Sequence, residues 1–353
     1  MEREMGFYDY NYTIYYYENY TDYPQNSASD FIYNCICPIM AVIGILGNIL
    51  SLSVLLRQPM KGYSISVYLS AYCVSGFLQW VFNIGPDWFI YMTGSSYFRN
   101  MSDVSCRFWQ FLTHFVTFSG LWFLTGATVD RIIALWFPSK SQVMCTIFMA
   151  KNSLVFILIG LTVVSIHAMW LYVLKDNYCE QERDDKYLLP YWMWGSTLML
   201  QLLPSLLLFI FANMMFIRLC LRQQSIQLPN ATGCELDLTN TVMVLSFLNF
   251  CFAMPLSVTN LLALGYWTNN TNGQYTEFLT YSLRAPLEYT NYLMWCSYTC
   301  AIIVLPCCGE TFRCGVKENF KEIISCMFRR HSNNEQRLMN GEYDQVPSTS
   351  TTV

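Results

Sequence analysis

Few ionisable residues in this chain stand where chemistry is possible. Asp130 and Arg131 are adjacent and close a run of more than 20 residues, Phe108–Val129, that holds no Asp, Glu, Lys or Arg. A guanidinium at the end of such a run is costly unless it is paired or used. The pair therefore reads as a functional site, the alternative being an arginine that snorkels to lipid headgroups. His114 and His167 each lie alone inside a charge-free run. His114 fits a hydrogen-bonded core residue better than a ligand contact, and a lone His167 is not a site. No metal-ligand spacing and no catalytic dyad occurs, so neither enzyme activity nor a metal or other cofactor is expected. The net charge of −4 gives no sign of nucleic-acid binding. A transporter or channel would carry ionisable groups mid-membrane for ion relay, and the runs lack them.

The elements that must hold Asp130 and Arg131 follow from the spacing of charge. Hydrophobic residues make up 54% of the chain and charged residues 12%, whereas a soluble domain carries about 25% charged residues. Seven stretches of more than 20 residues are free of charge: Phe31–Leu56, Gly62–Pro86, Phe108–Val129, Asn152–Leu174, Tyr187–Ile217, Leu238–Thr276 and Tyr289–Gly309. About 20 apolar residues in a helix span the hydrocarbon core. In lipid each backbone amide must be satisfied within its own segment, so every run reads as a helix. The fold expected is an all-α membrane protein with a seven-helix transmembrane bundle over residues 31–306.

Orientation comes from the basic residues, which stay in the cytosol. Residues 1–30 carry six acids against Arg3, while Arg57 and Lys61 follow the first run. Arg313, Lys317, Lys321, Arg329, Arg330 and Arg337 cluster beyond the last. The expectation is a multi-pass plasma-membrane protein with the N-terminus outside and a disordered cytoplasmic tail over 329–353. Glycosylation triplets at Asn11, Asn19, Asn100 and Asn269 then face outward, and Asn230 faces the cytosol. Away from the helices, only Cys106 and Cys179 fall on the oxidising side, and they read as a disulfide. Cys35 and Cys37 read as buried thiols. Cys307, Cys308, Cys314 and Cys326 flank the inner surface, where S-acylation and free thiols are the two states open to them.

Both tails offer partner chemistry. Tyr8, Tyr10, Tyr15, Tyr16, Tyr17, Tyr20 and Tyr23 interleave with Asp9, Glu18 and Asp22. Sulfation there would create anions able to hold a basic peptide, the alternative being a polar disordered tail. The hydroxyl cluster from Ser348 onward invites phosphorylation and a partner such as arrestin. Thr351, Thr352 and Val353 fit a PDZ ligand, which adds as a strand and places its carboxylate in a backbone nest.

Several residues, in order, resemble the rhodopsin-like G-protein-coupled receptors. They are Gly47-Asn48, Cys106, Asp130-Arg131-Ile132 with Pro138, Pro204, Pro255, and Gly309-Glu310-Thr311-Phe312-Arg313, with 25 residues from Cys106 to Arg131. The resemblance implies an amphipathic eighth helix, expected over 307–328. It implies that Asp130, Arg131 and Pro138 meet a heterotrimeric G protein, the arginine being held by Asp130 until released. Pro204 and Pro255 would kink their helices so that the inner ends can swing. By position, Trp109, Thr113, His114, Asn260, Glu288, Asn291 and Trp295 would line the ligand pocket. Thr113 stands where amine receptors carry an aspartate, so a biogenic amine is not expected, and the wet outer loops and acidic tail favour a peptide.

The chain also departs from this pattern. Gly76 replaces the helix-two acid, Gly120 the helix-three serine (Ser119 is adjacent), Ala212 the helix-five tyrosine and Ala253 the helix-six tryptophan. Ala301-Ile302-Ile303-Val304-Leu305 stands in place of Asn-Pro-x-x-Tyr. Without the carboxylate no sodium site is expected. Asn48 and Asn249 remain as polar groups for an inter-helix hydrogen bond. A receptor-fold scavenger or decoy, binding ligand without efficient coupling, is the alternative function.

Overall fold

A charge-free run can satisfy its amides only along its own axis, and the runs fold accordingly. Six helices long and apolar enough to cross a bilayer occur among the described residues: Ile32–Leu55, Ser64–Thr93, Asp103–Trp136, Ile147–Leu171, Trp194–Leu221 and Gly233–Gly265. They are spans one to six. The computed structural model describes residues 30–93, 100–175, 178–181, 194–224, 233–269 and 274–319, with 321 and 325. Span seven is two helices, Gln274–Ser297 and Cys300–Cys308, separated by a turn at Tyr298 and Thr299.

Span seven corrects the reading of charge. It was expected on Tyr289–Gly309, yet its helix starts at Gln274 and carries Glu277, Arg284 and Glu288. The charge-free run marks only the part that cannot tolerate a charge, whereas the helix continues past it. At the turn, the N–H groups of Tyr298 and Thr299 reach back three residues, to the Trp295 and Cys296 carbonyls, each at 3.2 Å. This is a single tight turn between two α-helical pieces.

Three spans contain a π turn, at Ile32–Ile36, Trp80–Ile84 and Thr197–Leu202. Each ends two residues before a proline: Pro38, Pro86 and Pro204. A proline ring clashes with the carbonyl four residues back and brings no N–H of its own. One extra residue in the preceding turn relieves that clash without ending the helix. Pro255 differs, since its helix, Gly233–Asn269, continues through it.

Span three is the centre of the bundle, packed against spans two, four, five and six. Close approach elsewhere relies on small residues. A Cβ added at Gly44 of span one would lie 2.1 Å from the indole Nε1 of Trp80, which is itself 1% exposed. On the side where span three begins, β1 (Tyr172–Lys175) and β2 (Tyr178–Gln181) form an antiparallel hairpin with Leu174 opposite Cys179. Cys179 is bonded to Cys106 in the first turns of span three, with Cα atoms 5.5 Å apart. Asp103 holds the hairpin as well, accepting from the Leu174 N–H at 3.0 Å.

The chain then turns at Gly309, and a helix resumes over 310–319. The expected start at 307 is therefore displaced. Cys307 and Cys308 complete the last turn of span seven, and extended backbone at Gly309 ends it. Phe312, 1% exposed, anchors this last helix to the bundle. Asn11, Asn19, Asn230, Cys326, the tyrosine-rich tail and Thr351 to Val353 lie outside the described residues.

Candidate functional site

Arg131 sits near the C-terminal end of span three, 3% exposed, beside Asp130 at 5%. Its Nη2 is 2.6 Å and its Nε 3.1 Å from Asp130 Oδ2. Ser64, in the first turn of span two, donates to the same oxygen at 3.0 Å. The third contact comes from span six: Arg131 Nη1 donates to Glu235 Oε1 at 2.9 Å. A buried guanidinium is thus satisfied by two carboxylates on two helices, which is the condition for keeping it out of water. Because Glu235 is on a different span, this pair ties the C-terminal end of span three to the N-terminal end of span six.

Further contacts frame the same end. Asp237 Oδ2 accepts from the Thr311 N–H at 3.2 Å and the Thr311 hydroxyl at 3.1 Å, joining span six to the 310–319 helix. Pro138 opens the short helix Pro138–Met144 directly after span three, at a position where its missing N–H costs nothing. Cys145 follows that helix and donates to the Asp130 carbonyl at 3.3 Å. Burial, and then the Asp130 carboxylate, push its thiol up to about 12. Glu235 and Asp237 were missed in the sequence reading. Their signal was present, since they are the last charges before the long run that starts at Leu238.

Toward the other end of the bundle lies a cavity of ≈ 90 Å³. Of the residues expected at a ligand pocket, Asn260, Asn291 and Trp295 line it, with Gln79, Asn83, Asp87, Thr117 and Gln201. Amides make up most of its polar lining, opposite Ile84, Leu256 and Met294: Asn83 donates to Thr117 Oγ1 at 3.0 Å and Asn260 to Gln201 Oε1 at 3.1 Å. Trp109, Thr113, His114 and Glu288 are not among the residues that line it. Trp109 meets Phe82 edge-on at 6.2 Å, and Thr113 is buried. Glu288 accepts a hydrogen bond from the Tyr292 hydroxyl. His114 packs against Phe118 at 6.3 Å and His167 at 5.6 Å, so the two histidines read separately in sequence are neighbours in space. The span-two contribution, Gln79 to Asp87, carried no sequence signal beyond polarity.

Between the two ends, two positions that depart from the rhodopsin-like pattern, Gly76 and Gly120, have their space filled by neighbouring side chains. A Cβ at Gly76 would lie 2.9 Å from both Asn48 side-chain termini, and one at Gly120 would lie 2.9 Å from Ser75 Oγ. Asn48 donates to the carbonyls of Gly44, at 2.7 Å, and Tyr298, at 2.8 Å. Asn249 does bond between helices: its Nδ2 lies 3.0 Å from the Tyr72 oxygen of span two and 3.7 Å from Cys300 Sγ of span seven.

Comparison with known proteins agrees with this geometry. The sequence model of the family described as 7 transmembrane receptor (rhodopsin family) matches residues 47–291. A stretch of 109 residues, 31% of the chain, is 31% identical to the zebrafish (Danio rerio) protein named G-protein coupled receptor 183-B. That stretch spans 28% of the relative's length.

Proposed function

This chain belongs to the rhodopsin family of seven-transmembrane receptors, and from that we propose that it binds an extracellular peptide and activates heterotrimeric G proteins through Arg131. Family membership makes it a multi-pass plasma-membrane receptor of the G-protein-coupled class. The finer reading rests on one observation: Arg131 is held between Asp130 and Glu235, on two different spans. Separating the inner ends of spans three and six breaks the Glu235 contact and frees a cation. A cation freed at the cytosolic mouth is what a G protein would meet. The N-terminus is then outside and the 310–319 helix inside, as the basic residues near Arg313 require. Arrestin and a PDZ protein are proposed as further partners of the tail that ends at Val353.

The peptide reading draws on the amides Gln79, Asn83, Gln201, Asn260 and Asn291, which pair with backbone-like donors and acceptors, and a cavity of ≈ 90 Å³ would take only the tip of such a ligand. The acidic, tyrosine-rich N-terminal tail would hold the basic part of such a ligand. The filled positions around Gly76 and Gly120 favour a second reading, a decoy that binds ligand and couples weakly. Basal activation of a panel of G proteins separates the two. Arg131→Ala at matched surface level should abolish the signal, and Glu235→Gln should raise it several-fold. Silence from the intact chain and from Glu235→Gln alike would favour the decoy.

A further inference from the structure

Span seven breaks at Tyr298 and Thr299 although position 302 is Ile and not proline. Side chains from other helices meet the carbonyls at this break. Tyr72 of span two donates to the Ser297 carbonyl at 2.7 Å, and Asn48 of span one donates to that of Tyr298 at 2.8 Å. Cys300 Sγ also reaches the Ser297 carbonyl, at 3.0 Å. The Tyr72 hydroxyl has one proton, committed to Ser297, so toward span six it acts as acceptor. Asn249 supplies the donor: its Nδ2 lies 3.0 Å from the Tyr72 oxygen and 2.9 Å from its own Leu245 carbonyl. Tyr72 is 4% exposed and Asn249 2%. The Tyr72 ring passes 3.8 Å from where a Cβ of Gly120 would sit, so the glycine on span three makes room for it.

We propose that the Tyr72–Asn249 hydrogen bond is a mid-membrane latch that holds span six closed against the break in span seven. Tyr72 is fixed at its far side by Ser297, so it cannot follow span six outward. No water in the hydrocarbon region replaces the bond once it is pulled apart, which leaves a buried amide donor with reduced pairing. A rise of ~1.5 Å per residue puts Glu235 about 21 Å from Asn249 along the same helix. A tilt that separates Arg131 from Glu235 therefore strains the latch as well, and the two contacts act in series. For its signalling arm the latch rests on the coupling reading; for its structural arm it does not.

The test uses the full chain with Tyr72→Phe, Asn249→Leu and the double substitution. Amide hydrogen exchange over 233–246 and basal G-protein activation are both measured at matched surface level. Each single change should raise exchange at the inner end of span six by about twofold to tenfold, the range expected for one hydrogen bond. The double change should fall short of the product of the two single effects, because the bond they share can be lost only once. Asn249→Leu leaves the Ser297 cap intact and decides the matter should Tyr72→Phe fail to reach the surface. Raised exchange with silent signalling would keep the latch and sink the coupling reading. Unchanged exchange, or single effects that multiply in the double, would overturn the latch.

Discussion

At the scale of single residues, the inner site is an electrostatic balance. Arg131 is buried with one carboxylate from its own helix and one from span six. Removing one partner of a buried pair typically costs about 3–5 kcal/mol. Asp130→Ala keeps the Glu235 contact, so a loss near the lower end, about 3 kcal/mol, is expected, seen as a lower melting temperature in detergent. An unshifted melting temperature would mean that Arg131 does not depend on Asp130. Cys145 gives a pH-linked expectation. Its thiol is pushed up to about 12 by burial and by Asp130, and only the thiolate reacts. At neutral pH the thiolate fraction is then on the order of 1 in 10⁴ or less. Alkylation by iodoacetamide at Cys145 should be absent near pH 7.5 in the folded chain, grow as pH rises toward 12, and appear at neutral pH after unfolding. Asp130 and Arg131 stood out in sequence because a charge interrupts an apolar run. Tyr72 did not, because a tyrosine in a span reads as one more aromatic until its hydroxyl is seen to have partners.

At the scale of elements, helices approach where the residues are small, and the space so made is already taken. Asn48 occupies the space beside Gly76. Restoring the family's acid with Gly76→Asp should therefore not restore sodium dependence. Overpacking of this kind typically costs about 1–3 kcal/mol, so lower thermal stability with no difference between sodium and N-methylglucamine media is the expected result. Stabilisation of Gly76→Asp by sodium would show instead that Asn48 yields. Helix breaks follow a similar logic. Three prolines are each preceded by a π turn while the helices run on through Pro255, Pro286 and Pro306, so the positions open to distortion could be read from sequence and the form each takes could not. The break at Tyr298 and Thr299 could not, since what stabilises it, Asn48 and Tyr72, arrives from spans one and two.

At the scale of the whole molecule, the disulfide pins the hairpin over one end of the bundle. Cys106 and Cys179 are 73 residues apart in sequence, and removing a native disulfide costs about 2–5 kcal/mol. Cys179→Ser should lower the amount of receptor at the surface and broaden thermal unfolding. Equal surface level and melting temperature would show that the β1–β2 hairpin and Asp103 suffice. The sequence alone determined the fold class, the number of spans and the Cys106–Cys179 pairing, and it singled out Asp130 and Arg131 as charges at the end of an apolar run. Each follows from a local rule: the cost of a charge in lipid, the need to satisfy backbone amides, the compartment of a thiol. The tertiary structure decided what depends on distance between spans. It placed Glu235 on Arg131 and Tyr72 on Asn249, made neighbours of His114 and His167, and put Asn260, Asn291 and Trp295 at a cavity that Thr113, His114 and Glu288 do not line. Hydrogen bonds and ion pairs reach only about 3 Å, so which partners meet is set by how the helices pack, and no residue carries that information alone.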